Sequence, residues 1–337
     1  AREIFFAGNP LGFPEVLLMS RRDWSSLDRR KFIKLSTTAA IGGSSLLKVL
    51  EAAGKETPQL GELIHRNERP TMTYRKLGRT DFMAGRLVFG CGSALAGGKG
   101  LRLLDRAFEA GINYYDTGRP YGDSESRLAP FLKAHRDNIW VTSKAAHMGW
   151  PDKRIRPDQG KEAAKLYTDQ LEESLRELQA DYIDAYFIMG IEDEGFVQNE
   201  ELYGAFLKAK QAGKVGYYGL SSHTNVYQVL EAAIETGWYD LAMISVTPGG
   251  WYDWKTKMPE KNMPGLSGVL PILKRAQEAG IGLIGMKAAK TVGNNPAQFD
   301  KFYSKELMEA PLTSYQRAYA YILQQGMDVV NSHMTNF

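Results

Sequence analysis

Cysteine is almost absent from this chain of 337 residues, which contains Cys91 alone. A single cysteine cannot form an internal disulfide, and it excludes the cysteine-rich motifs that hold iron–sulfur clusters. An excess of one charge is also lacking, because 42 basic and 39 acidic residues leave a net charge of +3. This near balance gives no sign of a surface that binds nucleic acid.

Long hydrophobic runs and two familiar ligand-binding patterns are missing as well. The apolar residues 35–47 are fewer than the roughly 20 that a helix needs to span a bilayer. No G-x-G-x-x-G pattern follows a predicted strand and opens a helix, so a Rossmann dinucleotide-binding domain is not indicated. His65, His135 and His333 form no cluster with Cys, Asp or Glu at metal-ligand spacing, and we predict no metal site.

The most informative stretch is residues 112–145, which reads as strand, loop, helix and strand. Asp116 and Lys144 close the two strands, and Tyr121 lies in the loop after the first one. A tyrosine normally has a pKa of about 10, and an adjacent ammonium can lower it by roughly 1–3 units. The three residues could therefore form a proton-donor site. A buried Asp–Lys ion pair beside a packing tyrosine explains the spacing equally well.

Repeated glycines after helical segments indicate the fold class. Helix-ending glycines precede apolar strands at Gly111, Gly213, Gly237, Gly280 and Gly326, where a left-handed backbone stops a helix. The recurrence predicts a βαβα series with a parallel sheet. Roughly eight strand candidates favour a closed (β/α)8 TIM barrel over an open doubly wound sheet.

Polar residues end most of the predicted strands. In a (β/α)8 barrel the active site lies at the carboxyl ends of the strands, so polar residues should collect there. This arrangement predicts a ligand site built from Asp116, Lys144, Ser221, Ser222, His223, Thr247, Lys287 and Asn331.

Two motifs make the sequence resemble the aldo-keto reductase family: DTGRPYGDSE at residues 116–125 and VTSKA at residues 141–145. The resemblance extends over most of residues 71–337 and implies a (β/α)8 barrel that binds NAD(P)H. It places Asp116, Tyr121 and Lys144 on three of the four catalytic positions of the family, with Tyr121 as the acid. The fourth position, normally a histidine, falls on Met189. His147 is an alternative source of the missing imidazole.

The same resemblance implies the cofactor contacts. The family holds the carboxamide after the fifth strand and the phosphates near the seventh and eighth, which indicates Ser221, Ser222 and Lys287. Lys290 could reach a 2′-phosphate or be a solvated loop lysine, and we favour NADP(H) over NAD(H). The family continues after the last strand into a helix that carries a phosphate-binding arginine. Because this chain stops at Phe337, we expect the sequence to be truncated there.

The long loop at residues 248–264 carries Trp251, Tyr252 and Trp254. Amphipathic aromatic side chains on a loop above a polar site are suited to gripping a carbonyl-bearing ligand. We predict that the three residues contact the substrate. The same side chains could instead anchor a partner protein.

Residues 1–70 do not resemble a barrel. Residues 29–34, RRKFIK, resemble the twin-arginine (Tat) export motif, and a modest apolar run follows, so the signal would cover about residues 28–47. We expect a largely disordered signal extension that directs Tat export to the periplasm and that is either removed or kept as a peripheral membrane tether. A basic N-terminal arm without this function is the alternative.

Three functions are compatible with these observations. The first is an NAD(P)H-dependent oxidoreductase that reduces a small aldehyde or ketone, with hydride from the nicotinamide and a proton from Tyr121. Because Met189 cannot donate a hydrogen bond to the carbonyl oxygen, we expect slow reduction or an altered substrate class. The second is a nucleotide-binding accessory subunit of a membrane-associated complex. The third is a sugar-phosphate barrel enzyme that does not use nicotinamide.

Overall fold

The computed structural model describes residues 62–98, 100–146, 155–254, 256–260, 263, 265–290, 292–293 and 295–334. The twin-arginine motif, most of the predicted extension at residues 1–70, and His147 lie outside the described residues. Within the part of the chain that is described, no helix is both long and apolar enough to cross a bilayer.

Strands and helices alternate along the described chain. The strands are β1 Tyr74–Lys76, β2 Met83–Gly85, β3 Leu87–Gly90, β4 Tyr114–Asp116, β5 Trp140–Ala145, β6 Ile183–Ile188, β7 Val215–Ser222, β8 Leu241–Thr247, β9 Gly250–Asp253, β10 Met258–Pro259, β11 Gly282–Met286 and β12 Val329–Ser332. The α-helices are α1 Cys91–Leu95, α2 Leu101–Glu109, α3 Ser124–His135, α4 Gly160–Leu178, α5 Glu194–Val197, α6 Glu200–Gln211, α7 Val226–Thr236, α8 Leu270–Glu278, α9 Lys305–Glu309 and α10 Ser314–Gln324.

Eight parallel strands close into a barrel. The order is β3, β4, β5, β6, β7, β8, β11 and β12, and β12 pairs in turn with β3. The predicted (β/α)8 barrel is confirmed. The glycines expected to end helices also have the left-handed backbone that this role requires, with φ between 67° and 114° at all five positions.

Two layers of apolar side chains hold the barrel together. Most residues of the barrel strands are buried, because one face of each strand packs inside the barrel and the other packs against the helices. In α4 the buried residues recur at helical spacing, as at Tyr167, Leu171, Leu175 and Leu178. The amphipathic pattern of the sequence therefore places each helix on the outside of the sheet.

The β1–β2 hairpin closes the amino end of the barrel. The turn between the two strands inserts Leu77 and Phe82 into the interior, where both are fully buried. The Phe82 ring stacks on Trp140, with 4.7 Å between ring centroids. Gly78 in this turn has a φ of 56° and packs so closely on β11 that a Cβ atom there would lie 2.2 Å from the Gly282 nitrogen. The bottom of the barrel is therefore filled, and the open end is the carboxyl end.

The segment after β8 differs from the expectation. Residues 248–264 contain the antiparallel pair β9–β10, and β9 pairs back onto β8. Trp251 and Tyr252 lie in β9 and are buried, with exposures of 6% and 0%. An ordered hairpin thus replaces much of the predicted open loop, because its aromatic residues pack into the protein.

Candidate active site

The carboxyl ends of the barrel strands meet around one cavity of about 590 Å³. Because the eight strands are parallel, Asp116 at the end of β4 and Lys144 near the end of β5 lie at the same end of the barrel. The residues from the predicted site that line the cavity are Asp116, Tyr121, Met189, His223, Trp254, Lys287, Lys290 and Asn331. A cavity of this size is in the range used for small-molecule ligands.

An ion pair lies at the base of this cavity. The Lys144 ammonium donates to Asp116 Oδ1 at 2.5 Å and to the Thr117 carbonyl at 2.6 Å, and both charged side chains are almost fully buried. Asn331 Nδ2, from β12, donates to Asp116 Oδ2 at 2.8 Å. Each carboxylate oxygen therefore has its own donor, which is what a charge without water requires.

Tyr121 lies beside the ion pair. It ends a short 3₁₀ turn, Arg119–Tyr121, and the next residue, Gly122, has a φ of 60° that turns the chain away. The Lys144 ammonium is 5.1 Å from the centroid of the Tyr121 ring. The ring also packs against Gly92, where a Cβ atom would lie 3.4 Å from Tyr121 Cδ2. The structure thus brings Asp116, Tyr121 and Lys144 close together.

Opposing effects act on the pKa values of Tyr121 and Lys144. Burial raises the pKa of Tyr121 above its usual value, while the charge of Lys144 and a hydrogen bond with it lower that pKa. Burial alone would lower the pKa of Lys144, but the charges of Asp116 and Tyr121 outweigh it and raise that pKa. Lys144 is therefore held as a cation. The net direction at Tyr121 differs from the sequence argument, which counted the ammonium and not the burial.

Met189 directly follows β6 and borders the same cavity. Its backbone N–H donates to the Ala145 carbonyl at 3.2 Å, which fixes it beside the end of β5. Its thioether has no proton to donate. The position next to the ion pair is thus occupied by a side chain that fills space without offering a hydrogen-bond donor.

Positive charge collects on the opposite wall, at the end of β11. The Lys287 ammonium lies 4.9 Å from the centroid of the Trp254 ring, and Lys257 contacts the same ring at 3.3 Å. Burial and, after it, the neighbouring charges of Lys290, Lys257 and Lys144 together lower the pKa of Lys287 to about 8. The backbone of Lys287 is left-handed, with a φ of 65°, a strained conformation that persists where the surroundings enforce it.

Six other predicted residues are not part of the cavity lining: Lys144, Ser221, Ser222, Thr247, Trp251 and Tyr252. Ser221 and Ser222 are buried at the end of β7, where Ser221 Oγ accepts from the Gly190 N–H at 3.2 Å and Ser222 Oγ donates to the Thr224 carbonyl at 2.8 Å. Trp251 and Tyr252 are buried in β9, so of the three predicted substrate-contacting aromatic residues only Trp254 borders the cavity. The sequence pattern alone does not distinguish an aromatic side chain that packs into the protein from one that contacts a ligand.

Ser93 and His333 line the cavity without having been predicted at the site. Asn331 and His223 are predicted there as polar strand ends, but the sequence does not indicate the bond from Asn331 to Asp116. Ser93 Oγ and His333 Nδ1 lie 2.9 Å apart on the cavity wall. His223 also borders the cavity, with its ring 4.8 Å from that of Trp254. The one available signal was position, because each of these residues ends or closely follows a barrel strand.

The fold and the site together define a (β/α)8 barrel whose ligand cavity contains a tyrosine beside a buried lysine–aspartate pair. The family model described as "Aldo/keto reductase family" matches residues 91–261, about half of the chain. The chain belongs to the aldo/keto reductase family.

Individual relatives agree with this assignment. The chain is 35% identical over 162 residues to "Uncharacterized oxidoreductase YqkF" of Bacillus subtilis (strain 168), covering 45% of this chain and 49% of that protein. It is 27% identical over 291 residues to "Probable aldo-keto reductase 1" of Glycine max, covering 76% of this chain and 78% of that protein. The match to the first of these relatives thus spans about half of its length.

Solved structures support the fold. The "aldo-keto reductase AKR11C1 from Bacillus halodurans (holo form)" superposes with a TM-score of 0.56 at 22% identity, covering 78% of this chain and 87% of that one.

The bond from Asn331 to Asp116 can be tested by stability. Asn331→Ala leaves Asp116 Oδ2 without its donor, and we expect unfolding to become easier by about 1–3 kcal/mol. Asn331→Asp places a second carboxylate beside that of Asp116, so the free energy of unfolding should fall further at pH 8. At pH 5 the two carboxylates share a proton, and the loss of stability should be smaller. Urea denaturation at both pH values measures this. Unchanged midpoints in both variants would contradict the assigned bond.

Proposed function

We propose that this protein is an NAD(P)H-dependent oxidoreductase that reduces an aldehyde or ketone, with Tyr121 as the proton donor. The observation that carries the proposal is that Asp116 and Tyr121 line one cavity, while Lys144 pairs with Asp116 and lies 5.1 Å from the centroid of the Tyr121 ring. Membership of the aldo/keto reductase family supports the same reaction class.

The side chains of the site suit a proton transfer to a carbonyl oxygen. Tyr121 holds its proton at neutral pH, since burial raises its pKa, so the phenol is present in the form that an acid needs. As the oxygen of the substrate gains negative charge, Tyr121 donates its proton and becomes a phenolate. The Lys144 ammonium stabilises that phenolate, and Asp116 keeps the ammonium oriented.

The residues of the cavity fit a nicotinamide dinucleotide. Its phosphates are anionic, and Lys287 and Lys290 provide cations on the wall at the end of β11. When bound, the reduced cofactor supplies the hydride. We propose that Lys287 and Lys290 hold its phosphates and that NADP(H) is preferred over NAD(H), because the cluster can accommodate an additional phosphate. Ser221 and Ser222, which are buried and bonded within the end of β7, would support the cofactor site through the backbone rather than as part of the cavity wall.

Because Met189 has no hydrogen-bond donor in its side chain, Tyr121 has no second donor at that position to help it bind the carbonyl oxygen of the substrate. Losing such a donor costs on the order of 10²–10³ in turnover elsewhere. We therefore propose slow turnover or a substrate whose carbonyl is activated by its own substituents. Trp254, which is 42% exposed at the cavity, offers an apolar face to such a small carbonyl compound.

The same methionine favours a second candidate, a nucleotide-binding barrel that acts as an accessory subunit of a membrane-associated complex. Here the cavity would bind cofactor without efficient turnover. The twin-arginine-like residues 29–34 support a proposal of Tat export to the periplasm, with or without a retained membrane tether. This location is compatible with either candidate.

Substitutions at Tyr121 and Met189 separate the two candidates. Tyr121→Phe removes the transferable proton and should abolish NADPH oxidation by aldehydes, with NADPH affinity retained. Met189→His adds a donor and should raise kcat by roughly tenfold or more, whereas Met189→Leu should not. Steady-state kinetics on a panel of aldehydes and ketones, with fluorescence titration of NADPH, measure these effects. NADPH binding without turnover in the wild type and in Met189→His would favour the accessory role.

The pKa of Lys287 predicts how cofactor affinity depends on pH. A phosphate binds the charged ammonium, so affinity should be retained below the pKa of about 8 and should weaken above it. The slope for one proton is at most about tenfold in Kd per pH unit. Lys287→Arg keeps its charge and should give a flatter profile between pH 7 and pH 9.5. Fluorescence titration of NADPH measures both proteins, and identical profiles would exclude Lys287 as a phosphate ligand.

A further inference from the structure

A buried polar network lies on the outer side of the strands that carry the candidate catalytic residues. The Arg119 guanidinium donates to Glu125 Oε2 and also pairs with Glu173 Oε1 at 2.7 Å. Ser143 Oγ donates to Glu125 Oε1 at 2.5 Å. Glu125 is 1% exposed, so both of its oxygens are bonded away from water.

The network joins the two segments that determine the geometry of the site. Arg119 opens the short 3₁₀ turn that ends at Tyr121. Ser143 immediately precedes Lys144 in β5. Glu125, in the first turn of α3, connects the two. One carboxylate is therefore bonded to a residue of the Tyr121 turn and to a residue next to Lys144.

The network does not reach the ligand cavity. Along a strand, successive side chains point to opposite faces, so Ser143 points outward when Lys144 points into the barrel. Arg119, Glu125 and Ser143 are absent from the cavity lining, as far as the described residues go. Any effect of these residues on the reaction must therefore pass through the backbone of the Tyr121 turn and of β5.

We propose that Arg119 and Glu125 are positioning residues that fix the distance between the Tyr121 hydroxyl and the Lys144 ammonium. The proposal rests on the proposed function, in which these two groups act together in the proton transfer. A buried ion pair is a poor source of net stability, because desolvation offsets much of the attraction between the charges. It does fix geometry, since the planar guanidinium and the carboxylate are directional partners.

The charges around Tyr121 determine what displacement of the turn would do. Burial raises the pKa of Tyr121, the charge of Lys144 from β5 lowers it, and the charge of Asp116 from β4 raises it; the thiol of Cys91 in α1 is uncharged, because burial raises its own pKa. If the turn moves away from β5, the Lys144 ammonium, now 5.1 Å from the centroid of the Tyr121 ring, lies farther away and lowers the pKa of Tyr121 less. Tyr121 would then hold its proton more tightly and transfer it more slowly.

Substitutions at the two acidic partners of Arg119 provide the test and its control. Glu125→Gln keeps the shape but removes the buried charge, and kcat should fall roughly 10- to 100-fold, as expected for a small misplacement of a reacting group. The Kd for NADPH should stay within about twofold, because no cofactor contact changes. Glu173→Gln removes the partly exposed partner of the same guanidinium, and kcat should change by less than about threefold. Ser143→Ala, which removes a single hydroxyl, serves if Glu125→Gln does not fold.

A second measurement does not depend on turnover. With ¹³Cζ-labelled tyrosine, the Tyr121 resonance can be assigned by its loss in Tyr121→Phe. The onset of its ionisation should move to higher pH by roughly half to one pH unit in Glu125→Gln, and not in Glu173→Gln. If kcat and the Tyr121 titration of folded Glu125→Gln match the wild type, or if only its melting temperature falls, the positioning role is wrong. If the wild type shows no turnover but the titration still shifts, the positioning survives and the proposed reductase function fails.

Discussion

The structure of the site depends on one buried ion pair, between Lys144 and Asp116. Neither charge can be solvated by bulk water at this position, so each must find its partners within the protein. The Thr117 carbonyl and the Asn331 amide complete the set. These partners come from β4, the segment after it, β5 and β12, so the ion pair is satisfied only when the barrel has closed. Folding and assembly of the site are therefore one event.

Electrostatics divide the cavity into two regions. At the base, Asp116 balances Lys144, and the local charge is close to neutral beside Tyr121. At the wall formed after β11, Lys287 and Lys290 add positive charge beside Trp254. Met189 lies near the base and contributes neither charge nor a donor. An anionic ligand is thus attracted to the wall, while Tyr121 at the base lies beside a nearly neutral pair of charges.

Much of this could be predicted because the informative residues are close together in the sequence. Asp116, Tyr121 and Lys144 belong to one strand–helix–strand unit, and its pattern was enough to bring them together. The bond between Asn331 and Asp116 joins residues separated by 215 positions, and it exists only through closure of the barrel. The prediction that Trp251 contacts the substrate differs from the structure for another reason. An aromatic residue looks the same in the sequence whether its side chain is buried in the core or contacts a ligand.

The filled amino end of the barrel has a consequence for kinetics. Phe82 stacks on Trp140, and Leu77 packs beside them, so the barrel axis offers no passage for a molecule. Any ligand of the cavity must then enter and leave through the same mouth, at the carboxyl ends of the strands. Two ligands that bind there together have no separate entrances, so a ligand that covers another must leave before it.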